Sequence, residues 1–213
     1  MVTTGLVLLA AGASVRLGSP KQNLNFQGQT LLQHAVQVAQ QSGSSPIVVV
    51  LGAQAEMLKA QLNFPDILIV ENKDWEEGMS ASIRHGLAAL LQVAPLVENV
   101  ILMLCDQPFV TGELLHKLIT HKETSSKQII GCSYQDTVGT PVLFDKQFFP
   151  ELLNLHGNHG AKKLLFQHSE AVATIPFELG SFDIDTVSDY TALQHYLAGK
   201  IKDPETLVED NPE

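Results

Sequence analysis

Short, uninterrupted apolar segments alternate with amphipathic segments along most of the chain. The apolar segments are rich in β-branched residues or leucine and span residues 5–9, 47–51, 67–70, 100–104, 128–132 and 141–144. Between them, apolar residues recur at the i, i+3, i+4 spacing of a helix, at residues 31–39, 83–91 and 114–119. Because strands that are apolar throughout fit a sheet covered on both faces, the pattern predicts an α/β fold with a mainly parallel sheet. Ligands of such folds bind at the carboxyl ends of the strands.

The composition restricts the class of protein and of partner. Of the 213 residues, 45% are hydrophobic and 17% are charged, which suits one globular domain, expected at residues 1–202. Residues 203–213 contain five acids and no base, and we expect them to form a disordered acidic tail. The formal net charge of −10 repels nucleic acids and anionic membranes, so neither is an expected partner.

Hydropathy and cysteine usage bear on the compartment. The apolar runs are far shorter than the roughly 20 residues that cross a bilayer, and the first residues lack the basic start of a signal peptide. Cys105 and Cys132 lie inside apolar segments, which is typical of reduced thiols in a core. We therefore expect a cytoplasmic location.

The loop after the first predicted strand combines small residues with two cations. It contains Leu9, Ala10, Ala11, Gly12 and Ser14, followed by Arg16 and Lys21. Small residues let backbone N–H groups approach phosphates closely, and the cations add positive charge. The loop lacks the Gly-Lys-Ser/Thr of a Walker A motif and the Gly-x-Gly-x-x-Gly of a dinucleotide fingerprint. Composition alone also fits a plain connecting loop with solvated cations.

Two carboxylates follow apolar segments and are candidate metal ligands. Asp106 is the first charge after segment 100–104, and Asp185 follows Ile184. Magnesium prefers one or two carboxylates together with phosphate oxygens and water. The alternative is that Asp106 caps a turn and Asp185 caps the last helix beside Thr186. We expect Asp183 to be structural, because alternate residues of a strand face opposite sides.

Three polar residues in the next region are candidate ligand contacts. Asn72 follows segment 67–70, and Ser80 and Ser82 lie at the start of a predicted helix. The alternatives are a turn at Asn72 and a helix N-cap at Ser80. His156 and His159 have no third ligand at a suitable spacing, and we expect them to be polar loop residues.

Five motifs, in order over roughly residues 5–190, together resemble those of the MocA-like nucleotidyltransferases, the molybdenum cofactor cytidylyltransferases and their relatives. They are Leu-Ala-Ala-Gly-x-Ser-x-Arg-x-Gly-x-x-Lys at 9–21, Asn-x-x-Trp-x-x-Gly-Met-Ser-x-Ser-Ile-x-x-Gly at 72–86, Cys-Asp-Gln-Pro at 105–108, Gly-Thr-Pro-Val-Leu-Phe at 139–144 and Asp-Ile-Asp-Thr at 183–186. The resemblance implies a three-layer α/β/α sandwich with a Rossmann-like nucleotidyltransferase fold.

The resemblance also implies a reaction: Mg²⁺-dependent transfer of CMP from CTP to molybdopterin, with release of pyrophosphate. Lys21 and Arg16 would hold the triphosphate, and Asp106 and Asp185 the Mg²⁺. The nucleotide would contact Leu9, Ala10, Ala11, Gly12, Ser14, Asn72, Ser80 and Ser82. Open alternatives are guanylyl transfer from GTP, activation of a sugar or alditol phosphate, and a non-catalytic carrier that delivers the cofactor to an apo-molybdoenzyme or its chaperone.

Two positions bear on specificity. Relatives carry Gly-Asp-x-Gly-Ala-Arg where this chain has Gly-Asn-His-Gly-Ala-Lys at 157–162, so Asn158 affects the identity of the acceptor. Guanylyl-transferring relatives read Leu-Ala-Gly-Gly at the first loop, whereas here Ala11 stands in place of the first glycine. If the backbone at position 11 lies against the base, the Ala11 methyl removes room for a purine, which predicts a pyrimidine. The choice of CTP over UTP follows from the resemblance alone.

Overall fold

A seven-stranded sheet forms the centre of the computed structural model, which describes residues 3–158 and 160–201. The strands are β1 (Thr4–Ala10), β4 (Ile47–Leu51), β5 (Ile67–Glu71), β6 (Asn99–Leu104), β7 (Ile129–Tyr134), β8 (Thr137–Asp145) and β9 (Val172–Pro176), and a separate pair comprises β2 (Asn25–Phe26) and β3 (Gln29–Thr30). The order is β5-β4-β1-β6-β8-β7-β9, and β8 alone in this sheet runs antiparallel to its neighbours. This confirms the mainly parallel sheet. The acidic tail predicted at 203–213 lies outside the described residues.

Helices cover both faces of the sheet. They are α1 (Leu31–Gln40), α2 (Ala55–Lys59), α3 (Met79–Val93), α4 (Gly112–Thr124), α5 (Phe149–Leu153), α6 (Lys162–Gln167) and α7 (Val187–Ile201). Alternate residues of β1 supply the two cores: Leu6 and Leu8 pack with α1, α2, α4 and α7, and Val7 and Leu9 pack with α3, α5 and α6. The three-layer α/β/α sandwich is therefore confirmed.

Some elements differ from the sequence prediction. β8 starts at Thr137 rather than at residue 141, and β9 was missed because its residues are polar or partly exposed at the sheet edge. The segment around Asp183 is irregular rather than a strand, so the alternation argument does not apply there. Its buried Ile184 anchors it, with the backbone N–H donating to the Asp106 carbonyl across 3.1 Å.

The parallel central strands bring their following loops to one edge of the sheet. The Cys105 N–H donates to the Leu9 carbonyl, and the Ala53 N–H donates to the Ala11 carbonyl. Both cysteines are buried free thiols, as predicted. In the part of the chain that the structure describes, no helix is long and apolar enough to span a membrane.

Candidate active site

Four charged side chains that the sequence singled out meet at this edge of the sheet. The Lys21 ammonium donates to Asp106 Oδ2 at 2.5 Å and to Asp185 Oδ1 at 2.8 Å. The Arg16 Nη2 lies 2.7 Å from Asp185 Oδ2. The Lys21 and Asp106 side chains are each 15% exposed, whereas that of Arg16 is 69% exposed. Residues far apart in the chain therefore form one ion-pair cluster, with Lys21 at its centre.

The carboxylates set the protonation state of Lys21. Burial lowers its pKa, but the charge of Asp106 and the hydrogen bonds to both carboxylates outweigh burial and raise the pKa above its ordinary value. Burial alone would raise the pKa of Asp185, but Lys21 and Arg16 hold it below its usual range. At neutral pH the cluster therefore contains an ammonium and an ionised Asp185.

The cluster has the donor set of a metal site. Asp106 Oδ1 is buried and makes no hydrogen bond, while Asp106 and Asp185 both direct an oxygen at the same cation. Within residues 3–158 and 160–201, no three His, Cys, Asp or Glu side chains group as a metal site. Two carboxylates completed by phosphate oxygens and water fit Mg²⁺ chemistry, so the residues present fit the implied ion.

Asp183 belongs to the electrostatics of this cluster, contrary to the expectation that it is only structural. Burial and the charges of Asp106 and Asp185 raise its pKa to about 6. Thr186 directly precedes α7. Its hydroxyl accepts from the Asp189 N–H, and the Asp189 carboxylate accepts from the N–H groups of Thr186 and Asp185.

The first loop is held by a residue that the sequence analysis missed. The Gln22 side chain is buried, and its Nε2 donates to the carbonyls of Ala10 and Gly12. Ser14 adopts a left-handed conformation at φ 56°, and its hydroxyl accepts from the Lys21 N–H. Ser14 therefore shapes the loop from within. Glutamine is not a typical catalytic or metal-binding residue type, so the signal in the sequence that could have pointed to Gln22 is its position beside Lys21.

A cleft of about 330 Å³ adjoins the cluster. Its walls include Leu9, Ala10, Ala11, Gly12, Lys21, Gln22, Trp75, Ser82, Asp106 and Asn158. Ala11 packs closely against Gly52. A Cβ added at Gly52 would lie only 2.6 Å from the Ala11 carbonyl oxygen and 2.8 Å from its methyl, so only a glycine fits there. Arg16 and Ser14 lie outside the lining, and Arg16 reaches the site through Asp185.

Two predicted contacts lie behind the cleft wall rather than on it. Asn72 is fully buried, and its Nδ2 donates to the Ser82 hydroxyl across 3.0 Å. Ser80 is also fully buried, and its N–H faces the Gly157 carbonyl at 3.4 Å. The N-cap of α3 is Gly78 at φ 96°, so Ser80 is not the cap. Of these three polar residues, Ser82 alone lines the cleft.

A second, mostly apolar cavity of about 170 Å³ shares Leu9, Met79 and Leu104 with the cleft. Tyr134, Thr140 and Lys162 also line it.

Asn158 lies against Gly78, where any Cβ would overlap its carboxamide. His156 is exposed, and His159 lies outside the described residues.

Comparisons with known proteins identify the family of this chain. The model of the MobA-like NTP transferase domain family matches residues 6–172. Nicotine blue oxidoreductase of Paenarthrobacter nicotinovorans is 32% identical over 85% of this chain and 91% of its own length. The crystal structure of Rv0371c from Mycobacterium tuberculosis H37Rv is 33% identical with a TM-score of 0.80, covering 92% of this chain and 100% of that one.

A structure of Rv0371c in complex with manganese is also similar, at 33% identity and a TM-score of 0.74, over 91% of this chain and 98% of that one. The family match covers most of the chain, including the first loop and Asp106. The chain belongs to the MobA-like NTP transferase domain family of nucleotidyltransferases.

Proposed function

We propose that this protein transfers CMP from CTP to molybdopterin, with release of pyrophosphate. The observation that carries the proposal is the Lys21–Asp106–Asp185 cluster, which lies beside a cleft walled by the small-residue loop. A buried cation next to two carboxylates is the combination that triphosphate and a divalent ion require.

The reaction makes few covalent demands on the protein. An oxygen of the acceptor phosphate attacks the α-phosphorus in line, the bond from that phosphorus to the β-bridging oxygen breaks, and pyrophosphate leaves. Because the acceptor phosphate is ionised at neutral pH, no side chain needs to remove a proton. No histidine is among the described residues that line the cleft, and burial raises the pKa of Cys105, the cysteine that does line it, so its thiol stays protonated and is a poor nucleophile.

Positioning and charge are the contributions of this chain's own residues. Lys21 and Arg16 would turn from the carboxylates towards the triphosphate and neutralise charge on the leaving pyrophosphate. Asp106 and Asp185 would hold Mg²⁺, which supplies further neutralisation when bound. Asn72 would act through Ser82, because its amide fixes the Ser82 hydroxyl in the cleft wall.

The preference for a pyrimidine rests on Ala11. Ala11 lines the cleft, and its methyl lies close to the backbone of Gly52. In this proposal the methyl takes up room that the second ring of a purine would need. A misfit the size of one methyl is worth roughly 1–3 kcal/mol of discrimination. The choice of CTP over UTP comes from the family resemblance.

The second cavity bears on the acceptor. Its walls are mainly apolar, and the Lys162 ammonium is the cation beside it that an acceptor phosphate would meet. A sugar or alditol phosphate would leave its hydroxyl groups without partners against Leu102 and Leu165, which costs free energy. The polar groups of a pterin would need partners there as well, so the choice of molybdopterin over a sugar phosphate rests on the family resemblance. A non-catalytic carrier would not need the Lys21–Asp106 pair.

A redox reaction is a second candidate, because the 32% identical relative is named as an oxidoreductase. Against it, this chain lacks the Gly-x-Gly-x-x-Gly dinucleotide fingerprint. The assay described next includes oxidation of a reduced nicotinamide dinucleotide, because this measurement separates the two candidate reactions.

The test combines CTP, UTP, GTP and ATP with molybdopterin and with a panel of sugar phosphates, with pyrophosphate release as the readout. The proposal expects release with CTP and molybdopterin, and its loss in Asp106→Asn. Release with a sugar phosphate alone, or nicotinamide oxidation without pyrophosphate release, would replace the proposed reaction. Binding of CTP and molybdopterin without turnover would favour the carrier.

A further inference from the structure

One buried side-chain amide holds the small-residue loop that walls the cleft. Gln22 is 1% exposed, and its Nε2 lies 2.8 Å from the Ala10 carbonyl oxygen and 3.0 Å from that of Gly12. A side-chain amide has two N–H donors, so each carbonyl takes one of them. The Ser14 hydroxyl lies 3.5 Å from Gln22 Oε1 and accepts from the Lys21 N–H.

These bonds orient the peptides on either side of Ala11. In a planar trans peptide, the carbonyl and the following N–H point in opposite directions. With the Ala10 and Gly12 carbonyls turned towards Gln22, the N–H groups of Ala11 and Ala13 point away from it. The two carbonyl oxygens would repel an anion at the loop if they faced it. Because both accept hydrogen bonds from Gln22, they are turned away from such an anion.

The same contacts fix both features of the loop on which the proposed function depends. Gln22 bonds to the carbonyls on either side of Ala11, the residue on which the proposed base preference rests. It also directly follows Lys21, whose backbone N–H donates to Ser14. Losing the amide would remove a donor from the carbonyl of buried Ala10 and from that of exposed Gly12, so the loop would no longer be held in this shape.

We propose that Gln22 is a positioning residue for nucleotide binding: it holds the Ala10–Gly12 loop in the shape that accepts the NTP and discriminates its base. This inference rests on the proposed function, since it assumes that an NTP occupies the cleft. Gln22 acts through backbone carbonyls, so its loss weakens nucleotide binding and selectivity while Lys21 and Asp106 still support turnover.

The chain offers a direct probe of binding. Trp75 is its one tryptophan and lines the cleft, so its fluorescence reports nucleotide entry. The variants are Gln22→Met, which keeps the length and removes both donors, and Gln22→Glu, which sets a carboxylate against the two carbonyls. The matched control is Gln33→Met, because Gln33 also makes two side-chain bonds, to Thr30 and Gln61, outside the cleft lining.

We expect both Gln22 variants to raise the Kd for CTP with Mg²⁺ by about tenfold or more, and Gln33→Met to change it by less than about twofold. The kcat at saturating CTP should stay within about threefold of wild type, and the CTP-to-GTP ratio of kcat/KM should fall. A merely structural role would lower thermal stability and the active fraction, with Kd and base selectivity unchanged.

Three results would overturn the inference. Wild-type affinity in Gln22→Met would remove Gln22 from nucleotide binding while leaving the proposed function intact. A lower kcat at unchanged Kd would place its effect on the chemical step. Failure of the wild-type protein to bind CTP would overturn the proposed function as well. If neither Gln22 variant folds, Ser14→Ala tests the same loop, because the Ser14 hydroxyl contacts both Gln22 and the Lys21 N–H. We expect this variant to raise the Kd for CTP by about threefold, and an unchanged Kd would count against the proposal.

Discussion

The Lys21 ammonium donates to the Asp106 carboxylate across 2.5 Å, with both side chains largely buried. The same ammonium also bonds to Asp185, so one cation occupies the space between the two candidate metal ligands. A divalent ion and Lys21 would therefore compete for the same oxygens. Triphosphate would relieve this competition by offering Lys21 another anionic partner.

We expect Lys21→Met to bind Mn²⁺ more tightly than wild type when no nucleotide is present, because the competing cation is gone. The paramagnetic signal of free Mn²⁺ in a titration measures this affinity. Lys122→Met is the matched control, since Lys122 forms a similarly covered pair with Asp145 away from the site. Equal Mn²⁺ affinity in Lys21→Met and wild type would exclude the competition.

Measurements of turnover test the proposed contact between Lys21 and the phosphates. Lys21→Ala should lower kcat and kcat/KM together, because a contact that strengthens as charge moves to the leaving pyrophosphate acts in the transition state. Steady-state kinetics at saturating Mg²⁺ and CTP measure both parameters. A rise in KM alone would limit Lys21 to ground-state binding, and no change in either parameter would remove it from the reaction.

Asp106 should be the most sensitive carboxylate. Asp106→Asn should lower turnover by about 10²-fold or more, since one electrostatic contact of this type is worth roughly 3 kcal/mol. Asp145→Asn is the control for loss of a carboxylate paired with a lysine. Circular dichroism should show folded protein for both variants. Turnover of Asp106→Asn within about threefold of wild type would remove the metal assignment.

The base preference gives a test at Ala11. Ala11→Gly should narrow the CTP-to-GTP ratio of kcat/KM by about tenfold, which is within the range for one methyl in a close pocket. The measurement is kcat/KM for both nucleotides with molybdopterin as acceptor. A wild-type preference for GTP would show that the steric argument is wrong.

Asp183 predicts a dependence of stability on pH. Its pKa is raised to about 6 by burial and by Asp106 and Asp185, so the folded state binds its proton more tightly than the unfolded state. This stabilises the fold at low pH, and the advantage is lost as the pH rises from about 4 towards 6 and above.

Asp183→Asn should therefore raise the free energy of unfolding above that of wild type by more near pH 7.5 than near pH 4.5. Because Asp183 retains exposed surface, we expect less than the roughly 3 kcal/mol that two pKa units would represent. Urea unfolding of metal-free protein at both pH values measures the difference. An equal effect at both values would contradict the assigned pKa.

The sequence predicted the layers and the placing of Asp106 beside the Lys21 loop, because both follow from strand ends. Asp106 and the Lys21 loop come directly after the neighbouring strands β6 and β1, whose carboxyl ends meet at the same edge of the sheet. The irregular path of residue 183 was not predictable from alternation, since it depends on a long-range bond from Ile184 to Asp106. Burial of Asn72 and Ser80 also depends on tertiary packing, which spacing does not report.

The measurement that tests nucleotidyl transfer most directly follows the α-phosphorus. The protein is incubated with Mg²⁺, molybdopterin and CTP carrying ³²P at either the α- or the γ-position, and the products are separated. We predict that α-label appears in the molybdopterin product and γ-label in pyrophosphate, and that Asp106→Asn loses both. Absence of α-label from the acceptor while CTP is bound would contradict nucleotidyl transfer to molybdopterin.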